Sequence, residues 1–168
     1  MAAPIALYAR VSKAEDQTTE NQLLQLREWA EASKQPAFMV YEEAVSSRDT
    51  RPKKEEILRG LRLGTLSGVA FVSLSRWGRS LPELAAEMKE AVDRGWVLVS
   101  LKEGLRFDTA AGKMYAGILA VFAEFERDLV RERTMAGLAR ARAQGRIGGR
   151  PKKTPPAKQP GIALGSVA

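Results

Sequence analysis

Four short apolar runs, over residues 5–10, 37–42, 69–74 and 96–101, alternate with stretches whose apolar residues recur at helical spacing. This alternation leaves few folds open. A run such as Val69-Ala70-Phe71-Val72 shows no polar alternation, so both its faces must be covered, as in a strand inside a parallel sheet. Parallel neighbours need crossovers, and the intervening segments supply them. Leu23, Leu24, Leu26, Trp29 and Ala30 follow a Thr19-x-x-Gln22 capping-box pattern. Ile57, Leu58 and Leu61 share one face of a helix over 53–63, with Gly64 as its stop. Ser80-x-x-Glu83 opens a third helix that ends near Gly95, with Pro82 in the first turn, where a missing N–H costs little. The expected fold class is α/β: a mostly parallel sheet of four to five strands, flanked by helices and joined by right-handed crossovers.

The pattern changes after residue 109. From 110 to 143 there is no proline, and apolar residues recur at Met114, Ile118, Val121, Phe122, Phe125 and Leu129. This predicts one long C-terminal helix of roughly 50 Å at 1.5 Å per residue, or two helices with a break near Gly137. The first half is expected to be buried and the second, with Arg131, Arg133, Arg140 and Arg142, to project. An apolar helix too long for one small domain suggests a partner subunit. The glycines and prolines after Gln144 predict a flexible basic arm and tail. The expected organisation is an α/β core over 1–108, the long helix over 109–144 and the arm and tail over 145–168.

Cysteine and histidine are both absent. Disulfides, thiol chemistry, a Ser-His-Asp triad and histidine-ligated metal are thereby excluded, and a cytoplasmic location fits. No run approaches the roughly 20 apolar residues of a membrane helix. The net charge of +7 lies in one place. Residues 131–153 hold eight Lys/Arg against Glu132 alone, and the remaining 19 Lys/Arg balance 19 Asp/Glu. Such a stripe is the footprint of a polyanion binder; the alternative is a solvated helix face followed by a tail.

Ligands of open α/β sheets bind at the C-terminal ends of the strands. The first strand ends in Tyr8-Ala9-Arg10-Val11-Ser12, where alternation puts Tyr8, Arg10 and Ser12 on one face. The third ends in Ser75-Arg76-Trp77-Gly78-Arg79, and the segment after the second contains Arg48 and Arg51. Guanidiniums match phosphate oxygens, so a serine among arginines is a candidate nucleophile on a phosphodiester, with fixed charge where other enzymes use metal. The alternative is ordinary surface arginines. No phosphate-binding glycine loop, no Gly-x-Ser-x-Gly elbow and no acidic two-metal cluster is present, so neither metal nor cofactor is expected.

These residues resemble those of the serine recombinases, the family of resolvases and DNA invertases. The likeness runs from Tyr8-Ala9-Arg10-Val11-Ser12 through Glu20-Asn21-Gln22, Arg51-Pro52 and Ser75-Arg76-Trp77-Gly78-Arg79. It ends in Ala123-Glu124-Phe125-Glu126-Arg127-Asp128-Leu129-Val130-Arg131-Glu132-Arg133, and so covers about residues 4 to 151. The resemblance implies that Ser12 attacks a DNA phosphate, leaving a 5′-phosphoserine and a free 3′-hydroxyl. It implies that Arg10, Arg51, Arg76 and Arg79 bind and activate that phosphate, and that Tyr8 and Gln22 support them. Arg127 would help to assemble a tetramer from homodimers formed by the long helix. Arg133, Arg140, Arg142, Arg146, Arg150, Lys152 and Lys153 would contact double-stranded DNA. There are departures: Ser75 stands where the family often has Asp, and Ser46-Ser47 where many members have Ser-Gly. Only 15 residues, three of them proline, follow Lys153, where small resolvases carry a helix-turn-helix domain. A truncated or non-catalytic regulator that pairs with a full-length recombinase is therefore the alternative.

Overall fold

The computed structural model describes residues 3–11, 19–45 and 50–146. Its elements are β1 (Ile5–Val11), α1 (Glu20–Ala32), β2 (Phe38–Ala44), α2 (Pro52–Leu63), β3 (Gly68–Phe71), α3 (Leu74–Trp77), α4 (Leu81–Arg94), β4 (Val97–Ser100), β5 (Leu105–Arg106) and α5 (Ala110–Ala143). The sheet order is β2-β1-β3-β4-β5. The first three pairings are parallel and β4–β5 is antiparallel. This is the expected fold class. The chain starts in the middle of the sheet and builds outward in both directions, so the order reverses beside β1. All seven residues of β1 are buried. In β2, an edge strand, only Tyr41 and Glu43 are.

The chain forms two compact units, Met1–Leu129 and Val130–Ala168. In the first, alternate residues of β1 feed two cores. Ala6 and Tyr8 join Ile57 and Leu61 of α2, Met88 and Ala91 of α4, and Ala116, Leu119 and Ala123 of α5. Ile5, Leu7 and Ala9 pack on Leu23, Leu26 and Ala30 of α1. The left-handed Gly64 and Gly95 end α2 and α4 as the sequence predicts. In the second unit every described residue except Ala141 is exposed. Among the described residues no helix is long and apolar enough to cross a membrane.

Four expectations need correction. The third strand stops at Phe71, three residues early, because the chain turns into α3, a single turn that brings Trp77 back to stack on Phe71 at 5.1 Å between ring centroids. The Thr19-x-x-Gln22 box does not form. Thr19 makes no capping bond and gives its hydroxyl to Glu42, while Gln22 bonds the backbone of β1. The Ser80 box forms by half: Ser80 accepts from the Glu83 amide, but Glu83 reaches the amide of Arg79 instead of that of Ser80. The fourth concerns α5, which has no break at Gly137. Its buried face is mostly small, with Gly112, Ala116 and Ala123 beside the one large residue, Leu119. Met114, Ile118, Val121, Phe122 and Phe125, expected inside, are exposed by 43–68%. At its first turn the helix lies too close to the preceding chain for any side chain at position 112 to turn inward. A Cβ on Gly112 would meet the carbonyl oxygen of Arg106 at 2.0 Å.

Candidate active site

α3 is too short to satisfy its own backbone, and that requirement assembles the site. A buried carbonyl without a partner costs free energy comparable to a lost hydrogen bond. Leu74 O accepts from the Gly78 amide at 2.8 Å. Arg10 supplies the next two, with Nε donating to Arg76 O and Nη2 to Ser75 O, both at 3.0 Å. Arg51 supplies the last, with Nη1 donating to Trp77 O at 2.6 Å. At the other end the Leu74 amide donates to Glu103 at 3.3 Å, and Ser100 donates to the same carboxylate oxygen. Arginines at the carbonyl end and a carboxylate at the amide end match the polarity of the turn.

The two guanidiniums are thereby fixed at the C-terminal ends of β1 and β3, where the strand order reverses. Arg10 is 7% exposed and Arg51 4%. Gln22 holds β1 from the α1 side: its Oε1 accepts from the Arg10 amide at 3.2 Å, and its Nε2 donates to the Arg10 carbonyl at 3.0 Å. Arg51 sits at the N-cap of α2 with φ −118° and ψ 75°, and its side chain makes no capping bond. Glu43 takes over that function from the neighbouring strand, accepting from the Lys53 amide at 2.8 Å through Oε1. Its Oε2 accepts from the Tyr8 hydroxyl at 2.6 Å. Tyr8, fully buried, packs edge-on against Trp77 at 5.3 Å.

The electrostatics follow. Burial, then the hydrogen bond to Glu43, raises the Tyr8 phenol far above its ordinary value, so it stays a proton donor. Burial, then the nearby charges of Arg10 and Arg79, lowers Arg51, with Tyr8 and Glu83 offsetting part of the effect. Arg51 Nε is buried with no hydrogen-bond partner among the described residues. A cluster of cations with an unused buried donor suits an anion.

Of the residues singled out by sequence, Tyr8, Arg10, Gln22, Arg51 and Arg76 come together here, with Arg76 entering through its backbone carbonyl and its side chain half-buried. Arg79 is exposed just beyond α3, and Arg127 is exposed on α5, apart from these hydrogen bonds. Arg133, Arg140, Arg142 and Arg146 are exposed in the second unit. Ser12, Arg48, Arg150, Lys152 and Lys153 lie outside the described residues, as do Ser46 and Ser47. Glu43 was missed. In Tyr41-Glu42-Glu43 only the alternation with Tyr41 says which glutamate turns inward.

A family model described as the resolvase N-terminal domain matches residues 5–147. DNA-invertase hin of Salmonella typhimurium is 37% identical over 114 residues, covering 67% of this chain and 59% of the invertase. Serine recombinase gin of Escherichia phage Mu is 37% identical over 115 residues, covering 68% of this chain and 58% of gin. The chain thus spans about three fifths of the length of these relatives. Among solved structures, the N-terminal catalytic domain of TP901-1 integrase gives a TM-score of 0.63 at 24% identity, covering 75% of this chain and 98% of that one. A resolvase family site-specific recombinase from Streptococcus pneumoniae gives 0.67 at 22% identity, covering 83% and 99%. At those identities the likeness is one of fold.

Proposed function

The chain belongs to the resolvase family, and from that membership we propose that it is the catalytic part of a site-specific DNA recombinase. The observation that carries this proposal is the pair of buried guanidiniums, Arg10 and Arg51, held on the carbonyls of α3 with Arg51 Nε unpartnered among the described residues. In the proposed reaction Ser12, next in sequence to the end of β1, is the nucleophile. Its Oγ forms a bond to a backbone phosphorus, the bond from that phosphorus to the 3′-oxygen breaks, and the 3′-oxygen leaves as a hydroxyl with the proton that serine loses. One phosphoester replaces another, so the reverse step rejoins DNA without an external energy source. Arg10, Arg51, Arg76 and Arg79 stabilise the negative charge that develops on the phosphate oxygens. Tyr8, through Glu43, and Gln22 hold β1 and α2 in place.

The exposed apolar face of α5, with Phe122 at 57% and Phe125 at 58% exposure, supports a homodimer formed through this face. Two such dimers, aided by Arg127, would make the tetramer that exchanges strands. Arg133, Arg140, Arg142 and Arg146, with Arg150, Lys152 and Lys153, would bind duplex phosphates. A DNA substrate and the cysteine-free sequence support a cytoplasmic location.

The test is a covalent trap. Purified protein is incubated with a supercoiled plasmid carrying the DNA that flanks its own coding sequence, quenched in denaturant and digested. The expected product is a peptide with a nucleotide 5′-phosphate on Ser12, absent from Ser12→Ala. Cutting by Ser12→Ala would end the proposal. A wild-type chain that forms no adduct, yet blocks a longer relative through mixed oligomers, would move the function to that of a regulator. Replacing Phe122 and Phe125 by serine should leave a monomer in sedimentation; an unchanged oligomer would exclude this face.

A further inference from the structure

Three buried or half-buried charges stand outside the group described so far. The Lys54 side chain is 4% exposed. Its Nζ lies 2.6 Å from Glu83 Oε1 and 2.9 Å from Glu87 Oε1, and 4.8 Å from the centre of the Trp77 ring. Lys54 is three residues beyond Arg51, in the first turn of α2, and both glutamates belong to α4. Glu83 uses its two oxygens differently. Oε1 takes the Lys54 ammonium, and Oε2 accepts from the Arg79 backbone amide at 2.8 Å. Arg51 in turn donates to Trp77 O, two residues before Arg79. A closed circuit results: Arg51, α2, Lys54, Glu83, the Arg79 amide, and back through Trp77 to Arg51.

A buried ion pair seldom adds stability over apolar residues of the same volume, and this one is costly. Glu87 is pushed above the ordinary carboxylate range by its burial, against the pull of Lys54. Glu83 also suffers from burial, but the Lys54 and Arg79 hydrogen bonds outweigh it and hold the carboxyl low, as an ion. Two apolar side chains would leave α2 and α4 free to adjust against each other. The directional bonds of a lysine with two carboxylates do not.

We propose that Lys54 is a positioning residue: by tying α2 to α4 through Glu83, it holds Arg51 and Arg79 in one fixed relation around the phosphate. The proposal rests on the recombinase function given above. It assigns Lys54 no contact with DNA.

The test is the double variant Lys54→Met/Glu87→Leu, which removes the buried charges together and keeps their volume, while leaving Glu83 in place. Its melting temperature should stay near that of the parent. In amide NMR spectra the Arg79 proton should move upfield, the sign of a lost hydrogen bond. On the plasmid described above, the Ser12 adduct should form on the order of 10²-fold more slowly, the effect of a small misplacement of reacting groups, with half-saturating DNA unchanged. An unmoved Arg79 amide, or adduct formation at the parent rate, would overturn the proposal. If the double variant does not fold, Lys54→Gln alone serves, since it removes the ammonium and leaves Glu83 in place; it should move the same resonance, and an unmoved resonance would overturn the proposal. The NMR signal does not depend on cutting. Failure of the parent to form any adduct would therefore count against the proposed function, while the resonance alone would decide the role of Lys54.

Discussion

The arginines of the two units carry the same charge under opposite conditions. Arg10 and Arg51 are buried and held on named carbonyl oxygens of α3, with Arg51 Nε left over among the described residues. Arg131, Arg133, Arg140, Arg142 and Arg146 are exposed and share their stretch of chain with Glu132 alone. A buried guanidinium must be fixed by the fold, because its desolvation is tolerable only when its hydrogen bonds are made. What it offers a ligand is position. An exposed one is held by nothing and offers a field, which salt screens and neighbours can replace. On the proposed function, the same side chain would serve chemistry in one unit and affinity in the other.

The sharpest way to break this contrast is Arg51→Ala. It should slow formation of the Ser12 adduct by about 10³-fold or more, as loss of a transition-state arginine does. Arg51→Lys should fare little better, since a point charge cannot cap Trp77 O and still present a planar fork. Single-turnover rates of adduct formation decide this. Next in size is Glu43→Ala, which strands the buried Tyr8 hydroxyl and the Lys53 amide together. A loss of about 2–3 kcal/mol is expected, read from denaturant midpoints.

A third prediction uses pH. Tyr8 has its proton affinity raised in the folded chain, whereas an unfolded tyrosine titrates near 10.0. Its contribution is therefore complete below pH 10.0 and drains away as the pH climbs through that value, because only the unfolded state then gives up the proton. Alkaline unfolding followed by tyrosinate absorbance should show Tyr8 ionising only as the protein unfolds. Tyr8→Phe should remove that step and flatten the decline in stability above pH 10.0. The smallest effect is expected in the second unit. Arg140→Ala should leave stability within about 0.5 kcal/mol. It should reduce the slope of log affinity against log salt by about 0.9, measured by fluorescence anisotropy on a labelled duplex. A large loss of stability there would show that this arginine, too, is built into a structure.

The contrast also explains what could be read from the sequence. β1 and β3 were legible because a strand covered on both faces is apolar throughout, and the glycine stops of α2 and α4 because a left-handed residue is nearly always glycine or asparagine. α3 was not, since four residues have no period. Thr19 and Gln22 misled because a local motif competes with distant partners, and here the Arg10 backbone, beyond the last residue that β3 pairs, won Gln22. The face of α5 was misassigned because size usually goes with burial, while close approach to residues 106 and 107 demanded the small side instead. Arg10 and Arg51 could be singled out from the sequence, but their attachment to α3 could not, because backbone carbonyls leave no mark on a sequence.

That attachment has a consequence for how such a site evolves. Arg10 and Arg51 complete the backbone of α3, so the residues that would meet the phosphate also close the fold around it. A library randomised at both positions would be sieved for expression before it was ever sieved for activity. Variants that fold without them would have to rebuild the turn from Leu74 to Trp77. Loss of function by gradual drift at these positions is thus opposed even in a lineage that no longer cuts DNA, and the arginines can outlast the reaction they serve.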